Sequence, residues 1–447
     1  MAKLVELSVN NEPTIGIKRT VFFVSALWFL QMILSALVQV YIAARYGTKL
    51  ALDIYLVGIT IPNTLFMIWS SAFGIATISY FHETRARHNE NIAIENITGF
   101  VGWVLVATLI ASFFLMLSAR QIVIWLIPSF TLDAIEKAIE VLNRTAPSLP
   151  FLAISTILQG LLQANNHYYS SSISSIVQVS LSPIFLVFGW PSTPESLAWG
   201  FDVSAIMSSI LLIASTWKFG LLRYKQLYIK DISRMISISL PLSSAGILTH
   251  LLWVAERHFA SAYGPGAISA LSYAQRGNNV IYGALGFGIS TVLFPVISQW
   301  IEAGQSGRAG RLNKKVLIFT LIPTLFCLTI IYIFGETFVH LILERGAFNT
   351  SSTKLTAISF KMYIGVLFCQ IVGSIIIRNA VAVKAKRLIF FSSIVLLTSY
   401  YILTPLLTQI LGFEGIPLSA SIAFSLSLII YFTVLLRKHP YLYVTGK

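Results

Sequence analysis

The sequence predicts an all-α polytopic membrane protein of about twelve transmembrane helices, arranged as two pseudo-symmetric six-helix lobes. Three observations lead there. Hydrophobic residues make up 56% of the 447 residues and charged residues only 11%, with a mean hydropathy of +0.79, whereas a soluble protein carries about 25% charged residues. The apolar residues fall into runs of roughly 20 or more, long enough to cross a bilayer as a helix. The third observation is an internal echo. Tyr46-Gly47 opens a segment ending in Phe73-Gly74-Ile75-Ala76-Thr77, and Tyr263-Gly264 opens one ending in Phe287-Gly288-Ile289-Ser290-Thr291. Each copy carries a small-residue stripe at helical spacing, Ser70, Gly74, Thr77 and Ala284, Gly288, Thr291. Such stripes let membrane helices approach closely, and internal repeats are common in transporter folds. Chance similarity between two apolar stretches is the competing explanation.

Taken in order, residues 1–19 are polar and close on Lys18-Arg19. No short apolar run with a small-residue cleavage site follows, so no removable signal peptide is expected. Candidate spans cover 21–44, 54–81, 97–117, 145–167, 171–190 and 196–217 in the first half. The second half has 235–261, 267–299, 316–335, 355–380, 388–411 and 415–436. The stretch 121–144 pairs a short apolar piece with Asp133, Glu136, Lys137, Glu140 and Arg144, which predicts a separate interfacial helix. The basic linker 218–234 divides an N-terminal lobe, 1–217, from a C-terminal lobe, 235–447.

The net charge of +14 raises the question of nucleic acid, but the cations sit mostly in loops between apolar runs. The loops on the side of the two termini hold twenty Lys and Arg, against seven on the other side. The positive-inside rule therefore predicts both termini in the cytoplasm and no nucleic-acid partner. Cys327 and Cys369 lie in apolar runs with no disulfide or metal spacing. No H-E-x-x-H, G-x-S-x-G, Walker A or Asp-x-Asp motif occurs, so neither an enzyme nor a cofactor is expected.

The informative residues are polar groups inside spans. Arg276 lies about ten residues, or roughly 15 Å, into the span 267–299. A cation at that depth costs about 2.5–3.5 kcal/mol and rarely faces lipid, so Arg276 is expected to line a watered cavity that binds an anion. Arg257, Lys361 and Arg378 are the other cations within spans. Arg257 and Lys361, with Arg276, give the C-terminal lobe a basic wall, and Glu256 is placed to pair with Arg276. The N-terminal lobe contributes Asp53 and Asp202. It also carries Asn63 after Pro62, where a proline opens the hydrogen-bond ladder. Gln31, Ser35 and Gln39 make a polar stripe on the first span. Amides offer sugar hydroxyls both donors and acceptors, but they equally glue helices together. For Glu256 and Arg257 a structural ion pair is the alternative.

These residues resemble the lipid II flippase family (MurJ/MviN type), within the multidrug/oligosaccharidyl-lipid/polysaccharide exporter superfamily. The match runs without gaps from Phe259 to Ser298 through Tyr273-Ala274-x-Arg276, Gly283, Gly286, Thr291 and Pro295. It extends to Gly47 with Asp53, Pro62-Asn63, Ala72-Phe73, Gly160 through His167-Tyr168, and Glu344-Arg345-Gly346-Ala347-Phe348. The resemblance implies a flippase that carries a polyprenyl-pyrophosphate-linked saccharide across the bacterial cytoplasmic membrane by alternating access. It makes Arg276 a pyrophosphate contact and Asp53 a cavity residue. Positions where lipid II flippases carry basic residues read Met32, Val38, Phe66 and Met67 here, and Ile281 replaces a proline. These departures favour another lipid-linked saccharide, such as an exopolysaccharide precursor. The expected partners are that lipid, membrane lipids and glycan-synthesis enzymes. A cation or drug antiporter of the same superfamily and a non-transporting scaffold of a glycan-export complex are the rival readings.

Overall fold

The computed structural model describes residues 15–223, 229–287, 297, 299–301, 303–383 and 385–443. Every regular element among them is helical. The long apolar runs become α1 (Ile15–Tyr46), α4 (Glu90–Leu117), α10 (Pro194–Lys218), α11 (Ile229–Ala260) and α13 (Ser306–Leu343). Two more such runs become α16 (Lys386–Leu411) and α17 (Gly415–Lys438). The other elements before α10 are α2 (Leu50–Gly58), α3 (Thr60–Arg87), α5 (Ala119–Leu126), α6 (Leu132–Thr145), α7 (Leu149–Ala164), α8 (Tyr168–Leu181) and α9 (Ile184–Val187). α12 (Ala267–Tyr282) runs into a π-helical turn at Gly283–Phe287, and α14 (Thr350–Met362) is followed by α15 (Ile364–Ala382). Among the described residues, seven segments are long and apolar enough to cross a membrane, and an eighth if the bent pair α2–α3 counts as one span. The phenyl, indole and alkyl groups exposed along α4, α13 and α16 suit lipid rather than water.

Helix ends follow local chemistry. Asn89 caps α4 by accepting from Ile92 N at 2.8 Å, and Asn349 caps α14 by accepting from Ser352 N at 3.0 Å. The 45° bend between α2 and α3 lies just before Pro62, whose ring removes a ladder donor. Close helix approaches use small residues. A Cβ at Gly160 would lie 2.9 Å from both the Gly74 carbonyl oxygen and Thr77 Cβ. The first small-residue stripe is thus the seat of α7 on α3. Gly288 and Thr291 of the second stripe lie outside the described residues, as does the linker stretch 224–228.

One expectation is corrected. Residues 121–144 do not form a separate interfacial helix. α6 continues through one 3-10 turn, Ala146–Ser148, into α7, giving a single 33-residue segment, Leu132–Ala164. Its apolar stripe, Ala134, Ile135, Ala138, Val141 and Leu142, is buried and packs on α2, where a Cβ at Gly58 would meet Val141 Cγ1 at 2.4 Å. A protein groove and a membrane surface ask for the same amphipathic pattern, so the pattern alone does not separate them.

The chain forms two compact units, Arg19–Ser269 and Ala270–Lys447, the latter with the first turn of α1 up to Lys18. The division falls within α12, so α11 groups with the N-terminal half.

Candidate functional site

In the Arg19–Ser269 unit, the expected charged residues gather at a turn. The sequence Gly264-Pro265-Gly266 reverses the chain between α11 and α12, with φ of +79° at Gly264 and +97° at Gly266. Only glycine adopts such angles without strain. Gly266 also abuts the echoing turn, since a Cβ there would come 2.6 Å from the Thr48 carbonyl oxygen. Asp53 is fully buried on α2. Its carboxylate accepts from Gly266 N at 2.5 Å and from Ser269 N at 2.7 Å, capping the first turn of α12 across more than 200 residues of sequence. Free N–H groups at a helix start favour a carboxylate. Arg257, half-buried at the end of α11, donates through Nη1 to Ile268 O at 3.0 Å and lies within electrostatic reach of Asp53. Glu256 beside it is fully buried. Asp53 and Arg257 therefore act here as a latch on the turn, with both Asp53 oxygens engaged by backbone.

Asp202 on α10 is buried and accepts a hydrogen bond from Ser148 Oγ. Arg144, a cation within electrostatic reach of it, lies with its guanidinium carbon 4.2 Å from the centre of the Trp199 ring. Asn63 is half-buried just after Pro62, and Gln31 and Gln39 are half-buried on α1.

In the Ala270–Lys447 unit, the structure brings the helices of Arg276 and Lys361 together. Arg276 is half-buried on α12. Its neighbour Gln275 donates through Nε2 to Tyr363 Oη at 3.1 Å. On the other side, a Cβ at Gly277 would stand 3.2 Å from the Phe360 ring. Lys361 follows Phe360 in the last turn of α14, where a cation suits the helix dipole. Its alkyl stem runs along Gly335 of α13, where a Cβ would lie 3.6 Å from Lys361 Cγ. Glycine at that point leaves room for the stem. One cation within a span had no place in the expected basic wall. Arg378 on α15 is half-buried and in electrostatic contact with Tyr282, six residues after Arg276 on α12. The signal was present, because Arg378 interrupts an apolar run as Arg276 does. Within one unit, then, three basic side chains belong to adjoining helix segments, and α12 leaves its α-helical path one residue after Tyr282. π-turns recur at functional sites.

Among the described residues no three His, Cys, Asp or Glu side chains could together hold a metal ion.

An all-helical chain with several apolar spans and cations inside them is a multi-pass membrane protein. The profile of the family "Lipid II flippase MurJ" matches residues 42–446, and the chain belongs to that family. This is a family of flippases in the bacterial inner membrane, transporters rather than enzymes. A probable lipid II flippase MurJ of Rhizobium meliloti is 25% identical over 70% of this chain, and the match spans 61% of that relative's length. The lipid II flippase MurJ of Burkholderia cenocepacia is 20% identical over 95% of this chain and 84% of its own. Among solved structures, a lipid II flippase MurJ in an inward closed conformation superposes with a TM-score of 0.79 at 21% identity, covering 92% of this chain and 87% of its own. An inward-facing multidrug-resistance MATE transporter superposes with a TM-score of 0.75 at 13% identity, covering 90% and 93%. Both share the fold.

Proposed function

We propose that the chain is a flippase for a polyprenyl-pyrophosphate-linked saccharide, working by alternating access between an N-terminal lobe, 1–217, and a C-terminal lobe, 235–447, joined by the linker 218–234. The observation that carries this reading is the packing of the Arg276 segment of α12 against the Lys361 segment of α14. Two cations on adjoining segments inside an apolar protein suit a diphosphate, and arginine's planar fork can hold two of its oxygens at once. Arg378 adds a third positive charge to the same unit. Asn63, Gln31 and Gln39 supply amides for sugar hydroxyls, while Asp53, Arg257 and Glu256 support the turn that starts α12. Both termini lie in the cytoplasm on the charge count, and glycan-synthesis enzymes are the natural partners.

Met32, Val38, Phe66 and Met67 leave the first two spans without the cations of the resembling flippases. The substrate that fits is a lipid-linked saccharide of lower charge demand than lipid II, such as an exopolysaccharide precursor. An antiporter needs a carboxylate free to exchange its cation, and of the candidates Asp53, Asp202 and Glu256 the first has both oxygens engaged by backbone. The reading is tested by flipping assays in proteoliposomes with fluorescent lipid II, an undecaprenyl-pyrophosphate oligosaccharide and a cationic dye. Movement of a pyrophosphate-linked sugar is expected; movement of the dye alone overturns the reading.

A further inference from the structure

A second basic site lies at one end of the α16–α17 pair, in the Ala270–Lys447 unit. A cavity of roughly 350 Å³ is lined there by Ala385, Arg387, Leu388, Leu435, Lys438 and His439, with Val434 beside them. Its floor is apolar and firm. Leu435 is buried, and Ala385 and Leu388 pack against the same cluster as Tyr431 and Tyr443. Its rim is basic, with Arg387 and Lys438 both exposed. The two helices form a candidate membrane segment running from Arg387 to Lys438, so the rim lies where apolar helix gives way to polar surface. Arg387 also stands in the first turn of α16, the positive end of its dipole.

The wall bearing His439 is held in place by a buried polar network. Asn313 Nδ2 donates to Leu442 O at 2.8 Å, and Asn379 Nδ2 donates to Asn313 Oδ1 at 2.9 Å and to Tyr443 Oη at 3.3 Å. Gly310 accommodates the returning chain, since a Cβ there would strike the Tyr441 carbonyl oxygen. His439 Nδ1 faces Tyr441 Oη at 3.2 Å, leaving Nε2 as its other ring nitrogen. Residues 439–443 form a fixed wall.

Among the described residues the rim has no counter-charge. The described acidic residues of this unit are Glu336, Glu344 and Glu414. Glu414 sits in the turn joining α16 to α17 at their opposite end. Glu336 and Glu344 sit at the end of α13 remote from Asn313, the residue that touches the C-terminal segment. Neither Arg387 nor Lys438 forms an ion pair among the described residues. A concave site with an apolar floor, cations that have no ion-pair partner among the described residues and a place at the membrane boundary calls for an anion that carries its own apolar part.

We propose that this cavity binds the phosphodiester headgroup of an anionic phospholipid, with Arg387 and Lys438 as the phosphate contacts. The site is independent of the one around Arg276, so Arg276→Ala leaves it unchanged. The full chain is reconstituted in phosphatidylcholine nanodiscs with graded phosphatidylglycerol, and retained phosphatidylglycerol is counted by native mass spectrometry. The double variant Arg387→Gln/Lys438→Gln is expected to bind it about thirtyfold more weakly, the loss of two headgroup attractions. The exchange variant Arg387→Lys/Lys438→Arg retains it. Both side chains are exposed, so the variants keep the fold, and equal melting in pure phosphatidylcholine checks this. Single Lys438→Gln supplies the reading if the double variant melts early. As a control, Arg85→Gln/Arg87→Gln removes exposed cations that face Glu90 and Glu83, and retention is expected to stay the same. Equal retention by the glutamine variants and the wild type overturns the site, and so does an equal loss in the control. A third overturning result is binding of inorganic phosphate in detergent that the double variant loses, since it makes the ligand a free anion.

Discussion

The two ends of α12 make opposite uses of buried charge. At its start, Asp53 and Arg257 are consumed by backbone: a carboxylate on two N–H groups and a guanidinium on a carbonyl. Nine residues further along, Arg276 sits at a contact between helices, next to the segment of a second cation, Lys361. Charge at the start secures a turn, whereas charge further along lies where helix segments meet and is the charge that the proposed function assigns to a ligand. A charged residue inside an apolar chain therefore has no role by itself; what its atoms already hold decides it. If the comparison is right, substitutions at the two places fail differently, one losing transport and the other losing fold.

The largest effect is expected at Arg276. Arg276→Ala abolishes flipping at normal expression and melting temperature, and Arg276→Lys falls at least about tenfold, because a point charge does not replace a two-oxygen grip. Wild-type transport by the lysine variant would show that no bidentate grip exists. Next comes the driving force. Moving one negative charge outward across the membrane is favoured by about 2.3 kcal/mol per 100 mV. Collapsing the potential with valinomycin and potassium is expected to halt export, and collapsing the pH gradient alone is not; the reverse pattern transfers the case to an antiporter.

At the latch the readout is stability. Asp53→Ala leaves two buried N–H groups unsatisfied, at about 1–3 kcal/mol each. Asp53→Asn keeps one acceptor oxygen and costs about half as much. Thermal unfolding in detergent measures both, and an unchanged melting temperature with lost transport would make Asp53 a substrate contact instead. A smaller and sharper effect is expected at Gly335. Gly335→Ala is tolerated, since its Cβ would be in ordinary contact with the Lys361 stem. Gly335→Leu displaces that stem and lowers transport severalfold with little change in folding, which comparison of flipping rates and melting curves checks.

The smallest effect concerns pH at the end of α13. Glu344 accepts from Thr350 Oγ1 at 3.0 Å and Thr353 Oγ1 at 2.5 Å, with His340 Nδ1 2.9 Å away. Chiefly through His340, then the two threonines, its carboxyl is lowered from 4.5 to about 2. A carboxylate held low in the folded state contributes stability above its unfolded value, and that contribution disappears as pH falls through the folded one. The cap between α13 and α14 should therefore be fully formed at pH 5, weaken below about 4 and be gone near 2. Hydrogen exchange at residues 344–353 follows this directly. Glu344→Gln should remove the pH dependence.

Much of this was legible in the chain itself, because bilayer thickness and helical period act locally. Apolar runs marked the helices, Pro62 marked the α2–α3 bend, and Gly264 and Gly266 marked the turn before α12. Arg276 stood out because an isolated cation in an apolar run needs a reason. The identity of partners was not legible. Asp53 meets Ser269 across 216 residues, and no period or spacing carries that pairing. The pattern of 121–144 fits a membrane surface and the α2 groove equally, and packing against Gly58 decided between them. Arg378 gained meaning only beside Tyr282. Sequence alone determined which segments are helices and which side chains are costly to bury. Tertiary structure decided which of those costs are offset by backbone groups and which side chains lie at contacts between helices, since hydrogen bonds and charge contacts are settled over a few ångströms in space, whatever the distance along the chain.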